Sequence, residues 1–134
     1  MKQFLLDTSA LLALRDDEPG ADRVAGLLKD PAVECHACFM TRMEVLYRVW
    51  KDENEVAGKL ALQQCLALPL KWIEASDELL IQAAELKAGF SISVVDAWIG
   101  AAAMRQRAIL LHKDPEFEGL SIAQERLPFK PKEK

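Results

Sequence analysis

Two hydrophobic rhythms alternate along this chain from end to end. Short apolar runs of strand length are separated by stretches in which apolar residues return every three or four positions, the period of a helix. Phe4 to Leu6 reads as a first strand and Ala10 to Arg15 as a short helix. Asp16-Asp17-Glu18-Pro19-Gly20 interrupts the pattern with turn-forming residues. Ala21 to Lys29 is helical, with Val24, Leu27 and Leu28 on one face, and Asp30-Pro31 ends it. Glu34 to Met40 reads as the second strand. Thr41 to Lys51 follows as a helix that turns Val45, Leu46 and Val49 toward a core. Asn54 to Leu68 is another helix, stopped by Pro69. Leu70 to Ile73 reads as the third strand, and Ser76 to Ala88 as a helix closed by Gly89. In the helix from Val94 to Arg107, the run Gly100, Ala101, Ala102 and Ala103 permits close packing on a sheet. Ala108 to Leu111 is the fourth strand, and Leu120 to Ala123 a short fifth.

Strands that alternate with helices favour a parallel sheet covered on both faces. The expected class is α/β: a single-domain, three-layer α/β/α sandwich around a parallel sheet of four to five strands. A chain of 134 residues suits one domain spanning 1–134. No repeat or linker divides it. The tail from about residue 128 onward, ending Lys130-Pro131-Lys132-Glu133-Lys134, is expected to be flexible.

Composition removes several classes. With 51% apolar and 28% charged residues the chain is globular, not disordered. A net charge of −4 argues against a general nucleic-acid coat, but not against an enzyme that grips a few phosphates locally. The start Met1-Lys2-Gln3-Phe4-Leu5-Leu6 has the flavour of a signal peptide, yet Asp7 and Arg15 interrupt the apolar stretch such a signal needs. No segment approaches the roughly 20 apolar residues of a membrane helix, so no membrane association and a cytoplasmic location are expected. Cys35-His36-Ala37-Cys38 lacks the second ligand pair of a zinc site, and its apolar flanks make it a buried strand. The third cysteine, Cys65, leaves an odd number that fits no complete disulfide framework.

The candidate chemistry lies in four acids: Asp7, Glu44, Asp96 and Asp114. Each stands where a strand or loop gives way to a helix. In an open parallel sheet, ligands bind outside the carboxyl ends of the strands, so acids far apart in sequence can meet there. Each acid also has a simple capping explanation. Thr41-Arg42-Met43-Glu44 and Ser93-Val94-Val95-Asp96 have the spacing of capping boxes, and Asp114-Pro115 that of an N-cap followed by proline. Asp7 can cap the first helix. If the helix starts converge on one rim, caps and metal ligands become the same residues. Carboxylates gathered without a basic partner favour a hard divalent cation, Mg²⁺ or Mn²⁺.

Four stretches carry a family resemblance: Phe4-Leu5-Leu6-Asp7-Thr8-Ser9-Ala10-Leu11-Leu12-Ala13-Leu14, Thr41-Arg42-Met43-Glu44-Val45, Ser93-Val94-Val95-Asp96-Ala97-Trp98-Ile99-Gly100-Ala101-Ala102-Ala103, and Ile109-Leu110-Leu111-His112-Lys113-Asp114-Pro115-Glu116-Phe117. In order and spacing the chain resembles a PIN-domain ribonuclease, of the kind that serves as the VapC toxin of a VapBC toxin–antitoxin pair. The resemblance implies a metal-dependent endoribonuclease that hydrolyses RNA phosphodiester bonds. Asp7 and Asp96 would hold Mg²⁺ or Mn²⁺ most directly, and Glu44 and Asp114 would complete the site. Glu116 and Glu118 are alternative donors near Asp114. It also implies a small cognate antitoxin covering the site and a toxin homodimer, with Leu12, Tyr47 and Trp50 as groove residues. Thr8 or Ser9 would order the site through a hydroxyl. Arg15, Arg42, His112 and Lys113 are candidate phosphate contacts. The chain departs from the family pattern at His112, where Thr or Ser is usual. Two other classes fit an acidic pocket on such a sheet: a receiver-like phosphotransfer domain using Mg²⁺, and a catalytically idle protein-interaction module.

Overall fold

The β1 strand (Lys2–Leu6) runs through the centre of a five-stranded sheet. The computed structural model describes residues 1–129, so Lys130 to Lys134 of the expected flexible tail lie outside the described residues. After β1 the chain continues through α1 (Thr8–Arg15), α2 (Ala21–Lys29), β2 (Val33–Cys38), α3 (Phe39–Asp52), α4 (Glu55–Leu66) and β3 (Lys71–Ile73). It then forms α5 (Asp77–Gly89), α6 (Val94–Gln106), β4 (Ile109–His112), a 3₁₀ turn (Pro115–Gly119) and β5 (Gln124–Arg126). The strand order is β3-β2-β1-β4-β5, with every pairing parallel.

The alternation of side chains along each strand builds two cores, one per face. Leu5, Cys38 and Leu110 face α5 and α6, meeting Leu79, Leu86, Ile99 and the small residues Ala101 to Ala103. Phe4, Leu6, Cys35, Ala37 and Leu111 face the other way, toward Leu11, Val24, Val45, Val49 and Cys65 of α1 to α4. The three layers are those expected. All three cysteines are free and buried; Cys35 and Cys38 lie in β2 and face opposite cores, and Cys65 lies in α4. On the second face α3 and α4 approach closely. A Cβ on Gly58 would lie 2.7 Å from the Leu46 carbonyl oxygen and 2.9 Å from Trp50 Cβ, so only glycine fits.

Most element ends shift by a residue or two from the sequence reading, and two differences have a clear physical cause. β2 stops at Cys38, and Phe39 and Met40 open α3 instead of ending the strand. Both pack against the α5–α6 core, and Phe39 meets Trp98 edge-on at 5.1 Å. A short apolar run does not distinguish a strand end from a buried first turn. The fifth strand forms at Gln124–Arg126, not at Leu120 to Ala123. Leu120 is apolar because it is buried in the α5–α6 core, whereas β5 is an edge strand whose residues are polar.

The topology fixes where a site can form. The chain leaves β1 toward β2 and β3 on one side, then returns to lay β4 and β5 on the other. The strand order therefore reverses between β1 and β4, and a crevice opens at their carboxyl ends. Helices that run back against the strands begin at this same rim.

Candidate active site

Asp7 stands directly on that crevice. Its backbone N–H donates to the Leu111 carbonyl at 3.1 Å, tying the exit of β1 to β4. Its carboxylate caps α1 by accepting the Ala10 N–H at 2.9 Å. The Ser9 hydroxyl lies 2.8 Å from both carboxylate oxygens, and its own oxygen accepts the Lys113 N–H at 2.8 Å. Ser9 thus ties the first acid to the turn that carries the fourth. Glu44 reaches the rim from the second turn of α3, where the Thr8 hydroxyl donates to it at 2.5 Å. Thr8 in turn lies 3.1 Å from the buried Thr41 hydroxyl.

Asp96 projects from the first turn of α6. Ser93 caps that helix by accepting the Asp96 N–H at 3.1 Å. The reciprocal half of a capping box is absent, because the Ser93 N–H is taken at 2.6 Å by Glu116. The Asp96 carboxylate is thereby left to face other acids. The second expected capping box does not form at all. α3 begins at Phe39, so Thr41 and Glu44 lie inside the helix. Asp114 caps the 3₁₀ turn through the Glu116 N–H at 2.9 Å, with Pro115 behind it, as the Asp-Pro pair predicts.

These positions converge. Oxygens of Asp96, Asp114 and Glu116 lie within 4.8 Å of one another. Asp7, 2% exposed, is within electrostatic reach of both Asp114 and Glu44. Burial is the main force that lifts the Asp7 carboxyl to about 7; Asp114 and Glu44 add to it, and the bonds from Ala10 and Ser9 oppose it. Burial also lifts Asp96 far above the carboxylate range, reinforced by hydrogen bonds and repulsion from Glu116 and Asp114. Carboxyls can touch in this way only if they keep a proton or share a cation. An all-oxygen set of this kind suits Mg²⁺ or Mn²⁺ and is unsuited to a soft metal.

The basic candidates fare differently. His112 is wholly buried and faces Gln124 and Phe117, not a substrate, which removes it as a phosphate contact. The Lys113 side chain, 8% exposed, is spent on Glu18 at 3.4 Å and the Pro19 carbonyl at 3.0 Å. Arg15 pairs with Asp16 and Glu53, and Arg42 pairs with Glu74 while stacking over Trp72. Glu118 turns outward to Arg126, so Glu116 is the acid that joins the cluster. Arg48 was not singled out by the sequence. It lies one turn beyond Glu44 on α3 and lines a polar cavity of about 340 Å³ with Ser9, Lys113 and the acids Asp16, Glu18 and Asp52; none of the four expected acids lines it. Helical spacing from Glu44 is the signal that points to it.

The sequence profile of the PIN domain matches residues 4–122. The chain belongs to the PIN-domain family. Among curated proteins no sequence matches it significantly. This PIN domain shares its fold with several solved structures. VapBC2 of Rickettsia felis, bound to a DNA fragment from its promoter, aligns with a TM-score of 0.76 at 19% identity, over 94% of this chain and 99% of that one. VapBC-1 of nontypeable Haemophilus influenzae gives 0.71 at 20% identity, over 92% and 97% of the two chains. VapC20 of Mycobacterium tuberculosis, described as a toxin that cleaves the sarcin–ricin loop, gives 0.74 at 17% identity, over 92% and 98%. Each alignment covers nearly the whole length of both chains.

Proposed function

We propose that this PIN domain is a metal-dependent endoribonuclease, the toxin of a type II toxin–antitoxin pair, with Asp7, Glu44, Asp96 and Asp114 as its catalytic acids. The observation that carries this reading is the meeting of Asp96, Asp114 and Glu116 within 4.8 Å, beside buried Asp7, at the switch point of the sheet. Asp7 and Asp96 would hold Mg²⁺ or Mn²⁺ most directly, with Asp114, Glu116 and Glu44 completing the donor set. A bound ion supplies an activated water and neutralises charge on the scissile phosphate. The chain's own residues do the rest. Ser9 fixes the Asp7 carboxylate against the Lys113 backbone, Thr8 orients Glu44, and Glu116 links the 3₁₀ turn to the start of α6. With His112 buried, Arg48, exposed on α3 one turn beyond Glu44, is the side chain we assign to a substrate phosphate.

The fold shared with VapBC assemblies supports a cognate antitoxin as partner. Tyr47 and Trp50 are exposed on α3, and Leu12 lines an apolar cavity of about 160 Å³ between α1, α3 and α4. These are the surfaces we assign to that partner. A toxin homodimer and a cytoplasmic location belong to the same proposal. No helix among the described residues is long and apolar enough to cross a membrane. The family match disfavours a receiver-like phosphotransfer domain.

The test is cleavage of a panel of structured RNAs in Mg²⁺ or Mn²⁺ and in EDTA. Asp96→Asn and Asp7→Asn are each expected to lose roughly a hundredfold or more in rate, the scale of removing one electrostatic element of an active site. EDTA should abolish wild-type cleavage. Full activity in EDTA, or variants within a few-fold of wild type, would overturn the reading.

A further inference from the structure

His112 is a buried imidazole beside the acid cluster, and both of its ring nitrogens are committed. Its Nδ1 accepts the Asp114 N–H at 3.1 Å, and its Nε2 meets Gln124 Oε1 at 2.9 Å. Both hydrogens of the Gln124 amide are spent as well, on the Phe117 carbonyl at 3.0 Å and the Leu120 carbonyl at 3.1 Å. The assignments determine one another. A flipped Gln124 would put its oxygen against two carbonyl oxygens. The Gln124 oxygen therefore accepts, Nε2–H donates to it, and Nδ1 is left as an acceptor for Asp114. The ring packs against Phe117 at 5.1 Å, and neither His112 nor Phe117 is exposed to solvent.

A side-chain acceptor that takes the N–H two residues ahead is the device of Asx and Ser/Thr turns. Here an imidazole performs it, anchored from behind by an edge strand. We propose that His112 and Gln124 are positioning residues for the acid site, and that together they fix the Asp114 backbone so that its carboxylate and Glu116 face Asp96. Asp114 in turn holds the Glu116 N–H, and Glu116 holds the Ser93 N–H, so the constraint passes from β5 to the start of α6. The role is one of geometry. His112 touches neither substrate nor ion, and the metal part of the inference rests on the proposed nuclease reading.

The requirement is an acceptor at position 112, which Thr and Asn also provide and Phe does not. His112→Thr and His112→Asn are expected to keep the Asp114 amide protected from hydrogen exchange, read by NMR, and to bind Mn²⁺ within about threefold of wild type. His112→Phe keeps the bulk and loses the acceptor. It is expected to expose that amide and to weaken Mn²⁺ binding by roughly tenfold or more, the usual effect of removing a group that orients a metal ligand. If His112→Phe does not fold, Gln124→Met on the edge strand serves instead, with the same two losses expected in smaller measure. Equal behaviour of Thr and Phe variants, or a Gln124→Met protein like wild type in both readouts, would overturn the proposal. Should wild type bind no Mn²⁺, the metal reading of the site falls separately. Protection of the Asp114 amide then decides the role of His112 by the same Thr-against-Phe comparison.

Discussion

Asp7 pits burial against ionisation. Buried among apolar neighbours and other acids, it holds its proton up to about 7, against an ordinary value of 3.8. The folded state therefore binds this proton more tightly than the unfolded state. Stability from Asp7 is fully present below the ordinary value and is lost as pH rises through 3.8 toward about 7. In EDTA, wild type is expected to lose on the order of a few kcal/mol across that window, and Asp7→Asn distinctly less. Urea unfolding at a series of pH values measures both slopes, and parallel slopes would refute the assignment. At the same scale, Asp7, Asp96 and Asp114 could be singled out in sequence because helix starts and strand ends share one rim in this topology, whereas Glu44 reaches the Thr8 hydroxyl from inside α3. Glu116 as the fifth acid, and His112 as a buried support, were harder to read. Their roles depend on a 3₁₀ turn and on Gln124 in an edge strand, neither of which has a hydrophobic period.

Elements were legible wherever apolar spacing reported burial, and misread where burial and pairing part company. Phe39 and Met40 are apolar because the first turn of α3 is packed, and Leu120 because it plugs the core, so neither marks a strand. The expected box at Thr41 and Glu44 failed for a related reason: the helix starts two residues earlier, and Thr41 serves Thr8 instead. Packing also sets the tolerance of each helix to change. Gly26 in α2 has nothing within 4 Å of where a Cβ would stand, whereas Gly58 in α4 meets the backbone of α3. Gly26→Ala is expected to stabilise by up to about 1 kcal/mol through helix propensity. The same change at Gly58 is expected to destabilise by about 1–3 kcal/mol through overpacking, outweighing that gain. Urea midpoints of the two variants, taken together, test whether the α3–α4 contact is as tight as described. A stabilised Gly58→Ala protein would show that it is not.

At the scale of the whole molecule, the acids are drawn from both flanks of the sheet. Glu44 comes from α3, beside β2, Asp114 from the turn after β4, Asp96 from α6, which packs across β1, β2 and β4, and Asp7 sits on the boundary at the end of β1. Along that boundary Phe4 to Leu6 pair with Ile109 to Leu111, and the Asp7 N–H on Leu111 and the Ser9 hydroxyl on Lys113 extend the seam to the rim. An ion gripped from both sides is then a removable cross-link. It should slow hydrogen exchange in β1 and β4 more than in β3 at the far edge, because local opening of the boundary must first release it. Mg²⁺ is expected to produce that pattern in wild type and not in Asp96→Asn, and uniform protection across all strands would argue against it. If the proposed nuclease reading holds, unfolding and catalysis share a starting point: a cell that stripped the ion would disarm the protein and begin to unzip it in one act.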